Sequence, residues 1–406
     1  MLERRHAWPE GHWDWLHHLS YKHGLRCGDM LFVGGQVDKD SKGRVLNKND
    51  LKGQTRTAMR HIDTVLKELG SGLADVVKLV AFYVNSGGVD ERAFLEDVCA
   101  ALSARPGPAI TAVPLPWLAY PGMMVEIEAV AMRGSGGAGL ARTASVPSGQ
   151  WPIVAPFSHG VRAGEMIYAS AQVARDSSGR VLHPGDIVRQ TELVMENLAK
   201  VLAGFGATLD DSVKFNIYYR GDGTKEDWRR AAVVRARYFK EPGPCATGIA
   251  LPWLPEGEMT RLEVWAMLGK DGKRLPREHV SPEGHWDWLV PLPYKHGLKC
   301  SNMVFVTGQV AFDNKGNLLH PGDLVGQTRA TMANVRRVLE GFGLTMDHTV
   351  KSNAFYMGEA GPTTIVENQL IRSACFTEPG PTSTGVPVKY LAVEGLLIEV
   401  EAVAMV

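Results

Sequence analysis

The pattern of apolar and polar positions in the first third of the chain predicts alternating strands and helices. The runs at 30–37 and 76–84 are rich in β-branched and aromatic residues, which is typical of buried strands. Between them, apolar residues recur at the helical period from Leu51 to Leu69, which predicts a helix with one buried face. A second helix is predicted over about 90–103.

Two further strands complete this unit after the proline-rich break at 106–108. The first is the apolar run at 109–115, and the second, at 123–132, alternates apolar side chains with Glu126 and Glu128. With a short partner for the first strand, the predicted order is β-β-α-β-α-β-β. This order is typical of an α+β sandwich with helices on one face of a mixed sheet.

The unit occurs three times. PEGHWDWL at 9–16 stands again at 282–289, and a more divergent copy begins with FSHGVRAGEMIYASAQV at 157. Three open sheet faces can bury one another, which predicts a pseudo-threefold trimer within one chain, with a closed β core and outer helices. The predicted domains span 1–133, 147–269 and 281–406, and the glycine-rich or charged linkers span 134–146 and 270–280.

The composition is that of an ordinary globular protein, with 406 residues, 45% hydrophobic and 22% charged. Forty-four basic residues balance 44 acidic ones, which argues against a nucleic-acid partner. No apolar run reaches the roughly 18 residues of a membrane span, and the amino end lacks a signal-peptide pattern. The five cysteines form no CxxC pair, so we expect a reduced, cytoplasmic protein.

These features resemble the Rid family (RidA, also called YjgF) over nearly the whole chain. The resemblance is carried by the TGQV-like first strand, the VK strand, the PGP break and the closing EIEA strand. It implies a chorismate mutase-like fold and active sites in the clefts between repeats. Whether the pseudo-trimer dimerises further is left open. It also implies deaminase-like hydrolysis of a C–N bond in a small nitrogenous substrate, with no cofactor and no metal.

One family residue is missing from every repeat. Family deaminases hold the substrate carboxylate with an arginine two residues after the proline that ends the PGP break. The corresponding positions hold Ile110, Ala246 and Ser383. Arg105 lies before the break and is a weak substitute. We therefore expect hydrolysis of an imine or enamine without the usual carboxylate clamp.

The resemblance also implies candidate site residues. A closing-strand glutamate orients the attacking water in family deaminases, and the matching residues are Glu126, Glu263 and Glu399. A tyrosine at the front of the cleft is matched by Tyr21 and Tyr294, whereas the middle copy has phenylalanine. The candidate hydroxyl groups for substrate binding are those of Thr111, Thr384 and Thr307.

The outer copies add groups that lie outside the family pattern. A histidine and an aspartate two positions apart on an extended segment point to one side, where the carboxylate can orient the imidazole for proton transfer. The alternative is a hydrogen-bonded pair that only fixes the segment. The residues concerned are His12, Asp14, His285 and Asp287. Lys22 and Lys295 are candidates to supply the positive charge of the missing arginine.

Other functions remain open from the sequence. One is a non-catalytic protein that binds small metabolites. Another is a ring-opening cyclic-amide hydrolase, in which each of three repeats supplies a serine and a lysine. The candidate lysines are Lys78, Lys214 and Lys351, but only the middle copy has a serine two residues before the lysine, Ser212. Ribonuclease activity, attributed to some family members, is disfavoured by the zero net charge.

Overall fold

Each third of the chain folds into a six-stranded mixed sheet covered by two helices. The computed structural model describes residues 2–358 and 362–406, without the side chains of residues 227 and 362–364. The first repeat contains β1 (Arg4–Ala7), β2 (Gly24–Cys27), β3 (Met30–Gln36), α1 (Leu51–Glu68), β4 (Val76–Val84), α2 (Glu91–Cys99), β5 (Ala109–Leu115) and β6 (Val125–Met132).

The other two repeats have the same elements in the same order. The second contains β7 (Arg142–Ser145), β8 (Gly160–Ala163), β9 (Met166–Gln172), α3 (Ile187–Ala203), β10 (Ser212–Arg220), α4 (Lys225–Ala236), β11 (Cys245–Leu251) and β12 (Thr260–Met267). The third contains β13 (Arg277–Val280), β14 (Gly297–Cys300), β15 (Met303–Gln309), α5 (Leu324–Glu340), β16 (Thr349–Met357), α6 (Pro362–Ser373), β17 (Thr382–Val388) and β18 (Ile398–Met405).

The strand order in the first sheet is β1-β2-β3-β6-β4-β5, and the other sheets repeat it. Only the last pair in this order, β4 with β5, is parallel. Helix α1 begins after Asp50, whose carboxylate accepts a hydrogen bond from the Gly53 amide. Its buried face, which includes Ile62 and Leu66, packs against the sheet. The predicted α+β class and helix positions are therefore confirmed.

The structure adds one strand to each predicted unit and changes the partner of the first. The partner of β3 is β2, which precedes it, because the turn after β3 forms only an isolated bridge between Lys39 and Val45. An edge strand then pairs with this hairpin in each repeat. Two of these edge strands, β7 and β13, lie in the stretches expected as linkers, 134–146 and 270–280.

The three sheets close into a ring through equivalent contacts. Strand β5 packs against β9, β11 against β15, and β17 against β3. Backbone hydrogen bonds cross each junction, for example from Ser158 to Pro108 (3.0 Å) and from Lys22 to Pro381 (3.1 Å). The last repeat therefore packs against the first, as a pseudo-threefold arrangement requires. Among the described helices, none has both the length and the apolar character needed to cross a membrane.

Candidate active-site clefts

Three clefts lie at the three junctions, and each is built by two repeats. We call them cleft 1–2 (between β5 and β9), cleft 2–3 (between β11 and β15) and cleft 3–1 (between β17 and β3). Equivalent positions of the three repeats line the three clefts. Differences between the clefts therefore come from substitutions, not from different folds.

Cleft 2–3 contains a buried carboxyl group from strand β18. The side chain of Glu399 packs over Gly308, where any Cβ atom would clash with the carboxylate. The Gly248 amide donates a hydrogen bond to it from the neighbouring repeat. Burial, reinforced by the nearby Glu401, raises the pKa of Glu399 to about 8. At neutral pH this group holds a proton that it can donate.

An arginine from helix α4 points into the same cleft. Arg235 is only 2% exposed and lies beside the hydroxyl of Tyr294. Among the described residues, its Nε and Nη1 atoms and the Tyr294 hydroxyl have no hydrogen-bond partner. Buried guanidinium nitrogens without partners are unfavourable, so this cleft favours the binding of an anion.

The remaining wall of cleft 2–3 is mostly aromatic and apolar. The cavity has a volume of about 70 Å³ and is enclosed on several sides by large rings. The polar lining residues are Arg235, Asp287, Tyr294, Thr307 and Glu399. The apolar lining residues include Trp228, Trp286, Trp288, Leu292 and Phe312.

Cleft 3–1 has the equivalent carboxyl, tyrosine and arginine. Burial and the neighbouring Glu128 raise the pKa of Glu126 to about 8. The guanidinium carbon of Arg372 lies 5.9 Å from the ring centre of Tyr21. Unlike Arg235, Arg372 has protein partners: its Nη2 donates to Asn368 Oδ1 at 2.9 Å and its Nη1 to the Ser383 hydroxyl at 3.4 Å.

Cleft 3–1 also holds a lysine. Lys39 is 3% exposed, and its Nζ lies 3.8 Å from the ring centre of Tyr120. Burial lowers the pKa of Lys39 to about 8, although the nearby Glu126 opposes the shift. The corresponding residues in the other repeats are Arg175 and Phe312, so the three clefts differ at this position.

Cleft 1–2 lacks the carboxyl. Arg261 occupies the position of Glu126 and Glu399, because it lies opposite Tyr218 in the strand register just as they lie opposite equivalent residues. Its guanidinium donates to Glu258 (2.8 Å), to Glu91 (2.7 Å) and to the Ala112 carbonyl (2.9 Å). The positions of Tyr294 and Arg235 are occupied in this cleft by Phe157 and Cys99.

The register corrects the sequence-based assignment of Glu263. It pairs opposite Asn216, and so corresponds to Glu128 and Glu401, two residues along the strand from the cleft position. Its carboxylate accepts from Lys78 Nζ at 2.6 Å near the centre of the ring. Glu263 therefore lies outside the clefts.

The three lysines considered for ring-opening chemistry also lie near the centre of the ring. We call these lysines and their glutamate partners the central cluster. Each forms a buried ion pair with a glutamate of a neighbouring repeat. Lys78 additionally donates to the Thr111 hydroxyl at 2.7 Å. The three pairs are Lys78–Glu263 (2.6 Å), Lys214–Glu401 (3.0 Å) and Lys351–Glu128 (2.9 Å).

The predicted threonines are divided between the cluster and the clefts. Thr111 contacts the central cluster, as described. Burial acts to raise the pKa of Glu128, but Lys351 and the Thr384 side chain outweigh it and hold that pKa below its ordinary value. Thr307 lines cleft 2–3, where its hydroxyl donates to the Lys295 carbonyl at 2.6 Å and accepts from the Ala246 amide at 3.2 Å.

The histidines and aspartates do not form the pairs that the sequence suggested. His12 Nε2 donates to Gln36 at 2.8 Å, whereas Asp14 accepts from the Trp15 amide at 2.6 Å. His285 and Asp287 repeat this arrangement with Gln309 (2.8 Å) and Trp288 (2.7 Å). Burial lowers the pKa of both histidines. Of the four groups, Asp287 lines cleft 2–3.

Lys22 and Lys295 connect repeats at the protein surface. Lys22 Nζ lies 2.7 Å from Glu378, and Lys295 Nζ lies 2.7 Å from Glu241. Both glutamates precede a proline in the loop of the neighbouring repeat. Neither lysine lines the cavity of its cleft. In the part of the chain that the structure describes, no group of three or more potential ligands is placed to bind a metal ion.

The sequence analysis missed Arg235 and Arg372, and one signal was available. Both occupy the same position of the second helix in repeats 2 and 3, four residues after the buried Ala231 and Asn368. A spacing of four residues places side chains on one helix face, so these arginines had to point inward.

The fold defines a protein with three Rid-like repeats. Two of its clefts, cleft 2–3 and cleft 3–1, contain a buried glutamate, a tyrosine and an arginine. The family model described as Endoribonuclease L-PSP matches residues 17–133, 149–267 and 290–406. The chain therefore belongs to this family, which confirms the resemblance to Rid proteins and the three repeats.

Individual relatives match one repeat each. The chain is 28% identical to a RutC family protein of Pyrococcus abyssi over 113 residues, 28% of this chain and 87% of that protein. It is 33% identical to Protein DfrA of Myxococcus xanthus over 131 residues, 32% of this chain and 97% of that protein. A solved chorismatase matches the whole fold with a TM-score of 0.55 and 13% identity, covering 82% of this chain and 93% of that one.

Proposed function

We propose that cleft 2–3 hydrolyses a small imine or enamine that carries an anionic group, releasing a carbonyl compound and ammonia. The observation that carries this proposal is Arg235, a buried cation whose Nε and Nη1 find no hydrogen-bond partner among the described residues and which lines the same cavity as a protonated Glu399. The proposal revises the expectation of a substrate without a carboxylate. A clamp is available, but it comes from a helix and not from the strand position where the family has it.

Arg235 and Tyr294 serve as the binding groups. A substrate carboxylate can pair with the guanidinium through one of its unpaired nitrogens, and the phenol hydroxyl can donate a further hydrogen bond. The apolar wall excludes water from this ion pair and strengthens it. The same wall favours a substrate whose remaining part is apolar.

Glu399 serves as the acid and then as the base. Its carboxyl protonates the substrate nitrogen, which makes the C=N carbon electrophilic. The carboxylate that results accepts a proton from the water that attacks this carbon. The proton returns to nitrogen, and the C–N bond breaks as the carboxylate takes the proton of the new hydroxyl group. A C=O bond forms, ammonia leaves, one water has been consumed, and Glu399 is protonated again. A pKa near 8 suits both steps at neutral pH.

The competing functions have less support. The lysines required for ring opening are engaged in buried ion pairs with glutamates. A non-catalytic binding protein is also compatible with Arg235, but it gives no reason for a protonated carboxyl beside the anion site. We therefore treat binding without turnover as an outcome of the test.

The experiment generates imino acids in place with an amino-acid oxidase and follows ammonia release. Glu399→Gln should lower the rate by roughly 10²- to 10⁴-fold, because it removes the acid and base. Arg235→Cys, which copies Cys99, should raise KM for imino acids but leave neutral imines unaffected. The matched control is Cys99→Ala in cleft 1–2, which should retain full activity. Unchanged rates in both variants would rule out these roles, and saturable binding without turnover would favour the binding protein.

A further inference from the structure

Cleft 3–1 contains a nucleophile that the other clefts lack. Lys39 lines its cavity together with Glu126 and Arg372. Within the described part of the chain, the Lys39 Nζ has neither a hydrogen bond nor an ion pair; its close neighbours are the rings of Tyr120, at 3.8 Å, and Trp13, at 5.5 Å. A lysine amine in an apolar, water-poor environment is a nucleophile toward carbonyl groups.

The corresponding residues show that this lysine is not required by the fold. Arg175 in cleft 1–2 is neutralised by Glu256 (2.8 Å) and Glu258 (2.6 Å). Phe312 in cleft 2–3 packs against Trp286. The position therefore accepts a paired cation or an apolar ring, and repeat 1 has instead an amine that forms no ion pair within 4.0 Å with any described carboxylate, although Glu126 and Asp14 lie near it.

We propose that cleft 3–1 binds a small 2-oxo acid through Arg372 and that Lys39 condenses with its carbonyl carbon to form an imine. The carboxylate is assigned to Arg372 because its guanidinium is buried beside Tyr21 at one end of the cavity. The cavity, about 40 Å³, limits the ligand to a small one. This proposal goes beyond the hydrolysis assigned to cleft 2–3 and does not depend on it.

The reaction is a condensation in which nothing is oxidised or reduced. The free amine of Lys39 attacks the carbonyl carbon, and a C–N bond forms. The protonated Glu126 gives its proton to the carbonyl oxygen, and its carboxylate then takes a proton from the nitrogen. Returning that proton to the hydroxyl expels one water and leaves a C=N bond. Both Lys39 and Glu126 have a pKa of about 8, so each can exchange protons near neutral pH.

The test is reductive trapping. The full-length protein is mixed with pyruvate and sodium borohydride, and modified peptides are identified by mass spectrometry. We expect a mass increase equal to pyruvate less one oxygen atom, concentrated on Lys39. With a pKa of about 8, its neutral-amine fraction near neutral pH is about 100-fold that of an ordinary lysine. Trapping should rise with pH up to about 8 and should be weaker with butanone, which has no carboxylate.

The control variants are matched to the other repeats. Lys39→Phe copies Phe312 and Lys39→Arg keeps the charge; both should lose the modification at this site while retaining the wild-type melting temperature. Arg372→Cys copies Cys99 and should reduce trapping of pyruvate toward the level of butanone. Labelling spread evenly over exposed lysines, or equal total labelling in Lys39→Phe, would overturn the proposal. Ammonia release is a separate measurement that depends on Glu399, so either proposal can fail without the other.

Discussion

Cleft 1–2 and cleft 2–3 are built from the same strands and helices, yet their buried charges are treated in opposite ways. In cleft 1–2, the charge of Arg261 is neutralised by two glutamates, a carbonyl group accepts a further hydrogen bond, and only its Nη2 lacks a partner among the described residues. In cleft 2–3, the Nε and Nη1 of Arg235 find no partner in the described part of the chain, and no carboxylate there forms an ion pair with it. A cleft that neutralises its own charge needs no ligand, whereas one with an unpaired cation does. The comparison therefore distinguishes a roomy cleft of about 670 Å³ with a neutralised arginine from a cleft of about 70 Å³ that presents an arginine to a ligand.

The loss of the site in cleft 1–2 follows the junction and not the repeat. Repeat 1 contributes Cys99 to it, and repeat 2 contributes Phe157 and Arg261. Yet repeat 1 supplies Glu126 to cleft 3–1, and repeat 2 supplies Arg235 to cleft 2–3. Repeats 1 and 2 thus each have one altered face and one intact face, whereas both faces of repeat 3 keep the site residues.

The largest expected effect is a loss of stability in the central cluster. The Lys78–Glu263 ion pair joins repeats 1 and 2 there, although the cleft between these repeats lacks the buried glutamate of the other two. Lys78→Met and Lys214→Met should each lower the free energy of unfolding by about 3–5 kcal/mol, because each leaves a buried glutamate unpaired. Urea unfolding measures both. Lys52→Met, which removes an exposed pair with Asp97, is the control and should cost less than about 1 kcal/mol. A cost for Lys78→Met no greater than for the control would mean that the pair is not a structural element of the junction.

The next effect is a pH dependence that belongs to clefts 2–3 and 3–1. The pKa of Glu399 and that of Glu126 are raised to about 8 on folding, so the folded state binds more protons than the unfolded state between about pH 4.5 and 8. The contribution of these two carboxyls to the free energy of unfolding should be fully present below this range. It should decrease as the pH rises through the range, by about 1.4 kcal/mol per pH unit for each carboxyl. Glu399→Gln should remove its share of the slope in urea titrations from pH 5 to 8. A variant with the wild-type slope would contradict the assignment.

The smallest expected effect is a change in carboxylate affinity when a residue of cleft 3–1 is introduced into cleft 2–3. Ala231→Asn places at Arg235 the amide that Asn368 provides to Arg372. The new partner should weaken binding of a small carboxylate in cleft 2–3 roughly tenfold, since a hydrogen bond to a charged group contributes about 1.5 kcal/mol or more. Titration calorimetry measures the change. Asn368→Ala is the reciprocal variant, and it should strengthen carboxylate binding in cleft 3–1. If both affinities are unchanged, Arg235 and Arg372 do not bind the carboxylate.

Much of the fold followed from local pattern. The apolar period of α1 and the β-branched runs of β3 and β4 depend on neighbouring residues alone, and the structure has these elements where they were expected. The cleft positions of Glu126 and Glu399 also followed, because strand alternation and the repeat placed them correctly.

The rest depended on information that a local pattern does not contain. Two glutamates two positions apart share one face of a strand, so alternation alone did not assign Glu263, and the alignment of the strand ends at Met132 and Met267, which matches it with Glu128, was overlooked. Pairing with Asn216 decides it. Arg235 acts across a junction, which only the packing of two repeats reveals. The His12 segment is not extended, because a turn joins the His12 amide to the Pro9 carbonyl at 3.1 Å.

The ring closure also sets an order of assembly during translation. Cleft 1–2 is complete once the ribosome has made residue 267, whereas cleft 2–3 waits for β18 and cleft 3–1 for β17. The junction that forms first is therefore the one whose buried arginine already has its glutamates. The first two repeats can dock while the third is still being synthesised, and neither needs a metabolite to hold them together. The two sites are then completed by the last repeat to emerge.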